Sequence, residues 1–280
     1  MDDGERLCRA APPRRKSQDW LTVTCGRNVT SQGGEDGILE AIFGLGKHCG
    51  NGLLGDLAPC GGGQRRWCVE FGAWDGRHLS NTWNLVQNHG WNAVLIEADP
   101  ERFATLQQTH SDAAGDVRPL NCFVNFEGGT SLQSLLEGEG LADDIDMLCV
   151  DVDGADYWIW HSLEHFRPKI VIVEFNPSIP NNVTFVQKRD MAVYQGSSLA
   201  ALVELGKAKG YELVSVTAFN AFFAPIEHFD RFRIGDNSIW QMHDPSMVTE
   251  LFQLYDGTLR IAGTKKLLWH RLAIDERELQ

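Results

Sequence analysis

The sequence predicts an α/β fold: a Rossmann-like three-layer sandwich with a seven-stranded, mostly parallel sheet, one antiparallel edge strand, an N-terminal helix and a C-terminal appendage. Three observations predict it. From Trp67 onward, short apolar runs alternate with segments of helical period. Those runs are apolar throughout, as strands covered on both faces by crossover helices require. The stretch "YELVSVTAFNAFFAP" holds two strands joined by a turn too short for a parallel crossover, which adds an antiparallel edge. At 280 residues and 43% hydrophobic, the chain can fill such a core.

The elements run in order along the chain. The opening "MDDGERLCRAAPPRRKSQDW" lacks the apolar centre of a secretory signal, and Asp2, Asp3 and Glu5 are foreign to a transit peptide. It reads as a flexible tail over residues 1–30, ahead of a single domain over 31–280. In "SQGGEDGILEAIFGLG", Ile38, Leu39, Ile42 and Phe43 recur at helical spacing behind a glycine-rich start. Lys47 to Arg66 is glycine-rich and reads as a flexible loop. Strands are expected over Trp67–Phe71, Ala93–Glu97, Val117–Phe123, Asp146–Val150 and Lys169–Glu174. Helices are expected over Ser80–His89, Pro100–Thr109, Ser131–Leu136, Ala155–His165 and Ser197–Lys209. From Ile226 onward the pattern is mixed, with "GTLRIAG" and "KKLLWHRLAI" compatible with strand or helix.

Charge and cysteines exclude several classes. A net charge of −13 opposes attraction to phosphate backbones, and no basic stripe offsets it, so nucleic acid is not an expected partner. No apolar run is long enough to span a membrane, so no membrane partner is expected. Cys8, Cys25, Cys49, Cys60, Cys68, Cys122 and Cys149 are scattered, without metal-type pairing, which fits a reducing, cytoplasmic setting.

Open α/β sheets bind ligands beyond the carboxyl ends of their strands, and here those ends are acidic. They read "EFGAWDG" from Glu70, "EAD" from Glu97, "DVDG" from Asp151 and "EFN" from Glu174. Helix capping explains one such acid, but not four successive ones. The first turn is G-x-x-x-G rather than the G-x-G-x-x-G of a dinucleotide site, and Glu70 and Asp75 would repel a pyrophosphate. A ligand carrying an ammonium and a sulfonium would be attracted, and S-adenosylmethionine is that ligand.

The ordered set "SQGGEDGIL", "VEFGAWDG", "LIEADPERFATL", "LCVDVDGADYWIW", "IVIVEFNPSIP" and "YQGSSLAALVELGKAKGYELV" resembles the class I S-adenosylmethionine-dependent methyltransferases, and specifically the FkbM type. The resemblance implies a small-molecule methyl acceptor with oxygen as the accepting atom. Sulfur or nitrogen of a zwitterionic metabolite, and a non-catalytic module of the same fold, stay open as alternatives. By the resemblance, Glu70, Gly72 and Gly76, with Ala73 in the same turn, hold the methionine end of the cofactor and Asp75 lies beside it. Glu97 accepts hydrogen bonds from the ribose hydroxyls, and Ala98, Asn125 and Phe126 bracket the adenine.

Methyl transfer needs an aligned acceptor and a base for a protonated one. Asp151, Asp153, Glu174 and Asn176 end neighbouring strands and are the candidate catalytic residues. Their placement is reminiscent of metal-dependent catechol-type O-methyltransferases, so a divalent cation is one reading, with a metal-free polar pocket as the other. Phe175 separates Glu174 from Asn176, which share a face only if the strand continues. His161 and His165, four apart, could form a metal pair but fit better as helix packing residues.

Overall fold

The computed structural model describes residues 19–46, 51–266 and 275–279. Its main sheet contains β1 (Trp67–Phe71), β2 (Asn92–Glu97), β3 (Val117–Asn121), β4 (Met147–Val150), β5 (Ile170–Glu174), β6 (Tyr211–Val216) and β7 (Asn220–Pro225). The order is β3-β2-β1-β4-β5-β7-β6. The first five strands are parallel, and β7 runs antiparallel to both β5 and β6 at that edge. Strand order reverses between β1 and β4, the topological position at which such sheets open a crevice.

Helices cover both faces because β1, β2, β4 and β5 carry apolar residues toward each. One layer holds α5 (Leu132–Gly138), α6 (Asp156–Ser162) and α7 (Leu199–Ala208), burying Leu136, Ile159, Trp160 and Leu202. The other holds α1 (Trp20–Cys25), α2 (Glu35–Phe43), α3 (Trp83–His89) and α4 (Pro100–Thr109), burying Leu21, Ile38, Ile42, Leu85 and Leu106. Among the described residues, no helix is long and apolar enough to cross a membrane.

Several boundaries move for identifiable reasons. The tail expected over 1–30 does not extend through its described part. Buried Asp19 accepts hydrogen bonds from Thr22 N (3.0 Å), Ser215 Oγ (2.9 Å) and Val216 N (2.6 Å), tying α1 to the edge strand β6. Residues 1–18, including Cys8, lie outside the described residues. In the glycine-rich loop, 47–50 with Cys49 also lie outside. Residues 51–66 are pinned rather than loose: Arg66 pairs with buried Asp146 at 2.7 Å and donates to the carbonyls of Gly55 and Leu57. The helix expected from Ser80 starts at Trp83, because Ser80, Asn81 and Thr82 are all engaged by Glu70. "GTLRIAG" forms a strand: β9 (Leu259–Gly263) pairs antiparallel with β8 (Thr249–Gln253) in a separate hairpin beyond α8 (Ile239–Met242). Most of "KKLLWHRLAI", residues 267–274, lies outside the described residues.

Candidate active site

Beyond Phe71 the chain turns back through two left-handed residues, Gly72 (φ 82°) and Trp74 (φ 51°). The Gly72 and Ala73 amides both donate to Ile96 O at 3.1 Å, which holds the turn against the end of β2. A Cβ at Gly72 would collide with the carbonyl oxygen of Asp151, so glycine lets the β1 and β4 ends close together. Gly76 (φ 77°) serves a different neighbour: a Cβ there would strike the His110 ring, whose Nε2 lies 3.0 Å from Gly76 O.

This turn floors a cavity of about 430 Å³, within the range of about 300–1,000 Å³ common for small-ligand sites. At one end the walls are Glu97, Ala98, Arg102, Phe123 and Val124; at the other, Asp151, Asp153, Glu174, Met191, Val193 and Tyr194. Glu70, Phe71, Gly72, Ala73, Ser80 and Gln32 lie between them along the β1 side. Eight residues expected at the site therefore share one space: Glu70, Gly72, Ala73, Glu97, Ala98, Asp151, Asp153 and Glu174.

Glu97 is buried and takes one backbone bond on each oxygen, from Trp74 N (2.9 Å) and Asp99 N (2.8 Å). Each carboxylate oxygen keeps further acceptor capacity for a pair of hydroxyls. Arg102 stacks over the Trp74 ring at 3.5 Å from its centroid, forming the rim of this end. Glu70 differs. Its carboxylate accepts from Ser80 Oγ (2.7 Å), Thr82 Oγ1 (2.6 Å) and Asn81 N (2.7 Å), so it organises the loop into α3 with little capacity to spare for a ligand. Burial raises its pKa against the effect of those bonds.

The far end concentrates carboxylates. Asp153 is held left-handed (φ 57°), a conformation costly outside glycine, while its amide donates to Glu174 Oε2 at 3.2 Å. Asp156, which carries no signal of a role in the sequence, accepts from Val152 N (2.8 Å) and Gly154 N (2.9 Å), fixing the turn that carries Asp151 and Asp153. Burial, followed by the charges of Asp156, Asp153, Glu70 and Glu35, pushes Asp151 well above the usual carboxylate range. Burial, followed by the charge of Asp151, does the same to Glu174, and burial raises Asp156 to about 7. Three buried acceptor oxygens, Asp36 Oδ1, Asn81 Oδ1 and Asn220 Oδ1, have no hydrogen-bond partner among the described residues.

Five expected site residues stand outside the cavity wall. Asp75 Oδ1 caps the next turn through Arg77 N (2.9 Å) and His78 N (2.7 Å), and Gly76 packs on His110. Phe123 and Val124 line the cavity in place of Asn125 and Phe126, because the chain turns at Asn125, whose amide bonds Thr130 O, and Phe126 packs beneath the Arg189 guanidinium. Asn176 is the fifth. The strand ends at Glu174, and the Asn176 side chain turns to Gln195 O (2.9 Å), Ser178 N (3.0 Å) and Ser178 Oγ (2.6 Å). The set reminiscent of catechol-type enzymes is thus not assembled. Among the described residues, no group of three His, Cys, Asp or Glu side chains is placed to hold a metal ion. His161 is exposed and stacks on Tyr157, and α6 ends at Ser162, so His165 is not on its helix.

Gln32, Phe123 and Arg102 line the cavity without having stood out in the sequence. Gln32 had a signal, since it belongs to "SQGGEDGIL", but its approach to the sheet mouth depends on where α2 packs. The neighbouring Glu35 accepts from Thr217 Oγ1 (2.7 Å) and Asn220 Nδ2 (3.2 Å) at the end of the sheet hairpin, which places the loop.

No protein-family model matches the chain, and no curated protein matches it. Among solved structures it is similar to TehB from Haemophilus influenzae, at 10% identity and a TM-score of 0.37 over 61% of this chain and 59% of TehB. It is also similar to M. capricolum TrmK in complex with S-adenosyl-homocysteine, at 12% identity and a TM-score of 0.37 over 61% of this chain and 64% of that one. A third similarity is to an O-methyltransferase from Bacillus cereus in complex with the same product, at 18% identity and a TM-score of 0.37 over 56% of this chain and 72% of that one. The chain thus spans about three-fifths of the length of TehB.

Proposed function

We propose that this chain is an S-adenosylmethionine-dependent methyltransferase of the FkbM type, acting on a small molecule at oxygen. The observation that carries the reading is Glu97 at the end of β2, buried at a cavity wall with acceptor capacity to spare, beside the Gly72–Ala73 turn. The donor set fits the cofactor: a carboxylate for vicinal hydroxyls at one end, and acidic side chains for cationic groups at the other. When bound, S-adenosylmethionine supplies an electrophilic methyl group on a sulfonium centre.

The chain's own residues do the rest. Gly72 and Ala73 bring backbone to the cavity, while Glu70 keeps the loop before α3 in place. Asp151 takes the proton of the acceptor hydroxyl on its carboxylate as the oxygen lone pair forms its new bond. Burial and the neighbouring carboxylates raise its pKa, which makes the ionised carboxylate a stronger base than a free one. Glu174, whose pKa is raised by burial and by the charge of Asp151, disfavours a second negative charge beside it. The same acidic wall favours an acceptor bearing an amine as the second reading, which the position of the transferred label distinguishes. No metal takes part in this proposal.

Calorimetry with S-adenosylmethionine and S-adenosyl-homocysteine tests the reading. Saturable binding that weakens in Glu97→Ala is expected; no binding at millimolar cofactor overturns it.

A further inference from the structure

The connection from β5 to α7 crosses the cavity, and a buried glutamine closes it on itself. The Gln187 side chain is 1% exposed. Its Nε2 donates to Val193 O (3.0 Å), and its Oε1 accepts from Gln195 N (3.0 Å) and Gly196 N (3.0 Å). Its backbone is fixed as well, because Gln187 O accepts from Trp158 Nε1 of α6 at 2.8 Å. The amide therefore spends its main donor and acceptor capacity on the neck of the loop that carries Met191, Val193 and Tyr194 into the cavity wall.

That loop rests directly on the turn bearing Asp151 and Asp153. A Cβ at Gly154 would lie 3.0 Å from Gln187 Oε1, 3.0 Å from Val193 O and 3.1 Å from Tyr194 Cα. The far side is held differently. Arg189 lies 5.3 Å from the centre of the Phe126 ring and pairs with Glu127 at 3.1 Å, through side chains that are both largely exposed. Exposed pairs of this kind contribute little. Arg189 also lies 5.8 Å from the Trp158 ring centre, and Asp190 caps Ala192 N within the tip, but these contacts do not reach the Asp151 turn, which the Gln187 neck meets directly.

We propose that Gln187 is a positioning residue for the methyl acceptor: it fixes Met191, Val193 and Tyr194 relative to the Asp151 turn and so sets the acceptor wall. This rests on the methyltransferase reading above. The neck bonds are short-range and made by a buried side chain, whereas Glu97 and the Gly72 turn are held by β1 and β2, so the residue acts on the acceptor end and not on the cofactor end.

Three measurements on the full chain test this: calorimetry with S-adenosyl-homocysteine, trypsin cleavage after Lys188 and Arg189, and transfer of label from methyl-labelled S-adenosylmethionine into the low-molecular-mass fraction of a cell extract. In Gln187→Ala, the extract concentration at half-maximal rate should rise about tenfold while the maximal rate stays within about threefold. Trypsin should cut the loop faster, and S-adenosyl-homocysteine affinity should stay within about twofold of wild type. Gln187→Glu keeps acceptance from Gln195 and Gly196 but sets a carboxylate oxygen against Val193 O, so its half-saturation should rise as well, and an unchanged value overturns the proposal. An unchanged half-saturation or trypsin rate in Gln187→Ala overturns the proposal alone. A matching loss of S-adenosyl-homocysteine affinity overturns it in favour of a general structural role. Wild-type protein that fails to bind S-adenosyl-homocysteine, or labels no small molecule, overturns the methyltransferase reading and this proposal with it.

Discussion

At the Glu97 end of the cavity, the polar groups are held by backbone: the carboxylate takes amides from Trp74 and Asp99, and the turn below it hangs on Ile96 O. At the Glu174 end, Asp156 and Glu174 also accept backbone amides, but Asp151, Asp153, Asp156 and Glu174 crowd within mutual electrostatic reach. The first arrangement is satisfied and fixes geometry. The second is strained, because burial and like charge raise the pKa values of Asp151 and Glu174 together.

The sharpest way to break this contrast is at Asp151. Asp151→Asn should lower methyl transfer by about 10²–10⁴-fold while weakening cofactor binding less than Glu97→Ala does. Labelled-product assays paired with calorimetry read the two separately, and normal turnover would reduce Asp151 to a strand-end cap.

Gly72→Val joins the two ends, because the added side chain meets the Asp151 carbonyl as well as the cavity. Cofactor binding should be lost, and the left-handed backbone alone should cost about 1–3 kcal/mol of stability, measurable by denaturant unfolding. Glu97→Ala is expected to weaken cofactor binding by about 1.5–3 kcal/mol with turnover at saturating cofactor less affected. Equal affinity in a folded variant would remove the ribose assignment.

The pH dependence sharpens the acidic end. Asp156 has a folded pKa of about 7, above its ordinary value of 3.8, so the folded state holds its proton more tightly than the unfolded chain. The stability this contributes is fully present below the unfolded value and is lost as pH rises through about 7. Unfolding of the ligand-free protein across that window should show the decline, and Asp156→Asn should reduce it, with the raised pKa values of Asp151 and Glu174 contributing a decline of the same sign. The smallest effect is expected at Asn176, whose side chain serves the loop at Ser178 and Gln195. Asn176→Ala should cost about 1 kcal/mol of stability and leave turnover within about threefold, a comparison made with the same labelled-product assay.

The strands were legible because a strand buried on both faces writes itself as a continuous apolar run, and Trp67–Phe71 and Ile170–Glu174 end where the acids appear. The acids that share the cavity were legible for the same reason: a residue that ends a parallel strand is at the sheet mouth whatever the loops do. The course of the chain beyond each strand end was not legible. Asn176 and Glu174 differ by two positions, yet the chain leaves the sheet between them, and the alternation that would have put them on one face stops there. Asn125 and Phe126 likewise stand off the wall, since the turn after β3 closes on Thr130 and leaves Phe123 and Val124 there.

The sequence by itself determined the layers, the parallel core of the sheet and the row of carboxylates along its mouth, because hydrophobic periodicity and strand ends are local properties. Only the tertiary structure decided which carboxylates are satisfied and which are exposed to one another. Glu70 looked like a ligand-binding acid, but Ser80, Asn81 and Thr82 fold back onto it. Asp156 fell within an expected helix and Gln187 carried no signal, yet they pin the turn and the loop that shape the acidic end. Hydrogen bonds between segments distant in sequence leave no periodic trace, so those roles emerge only when packing brings the segments together.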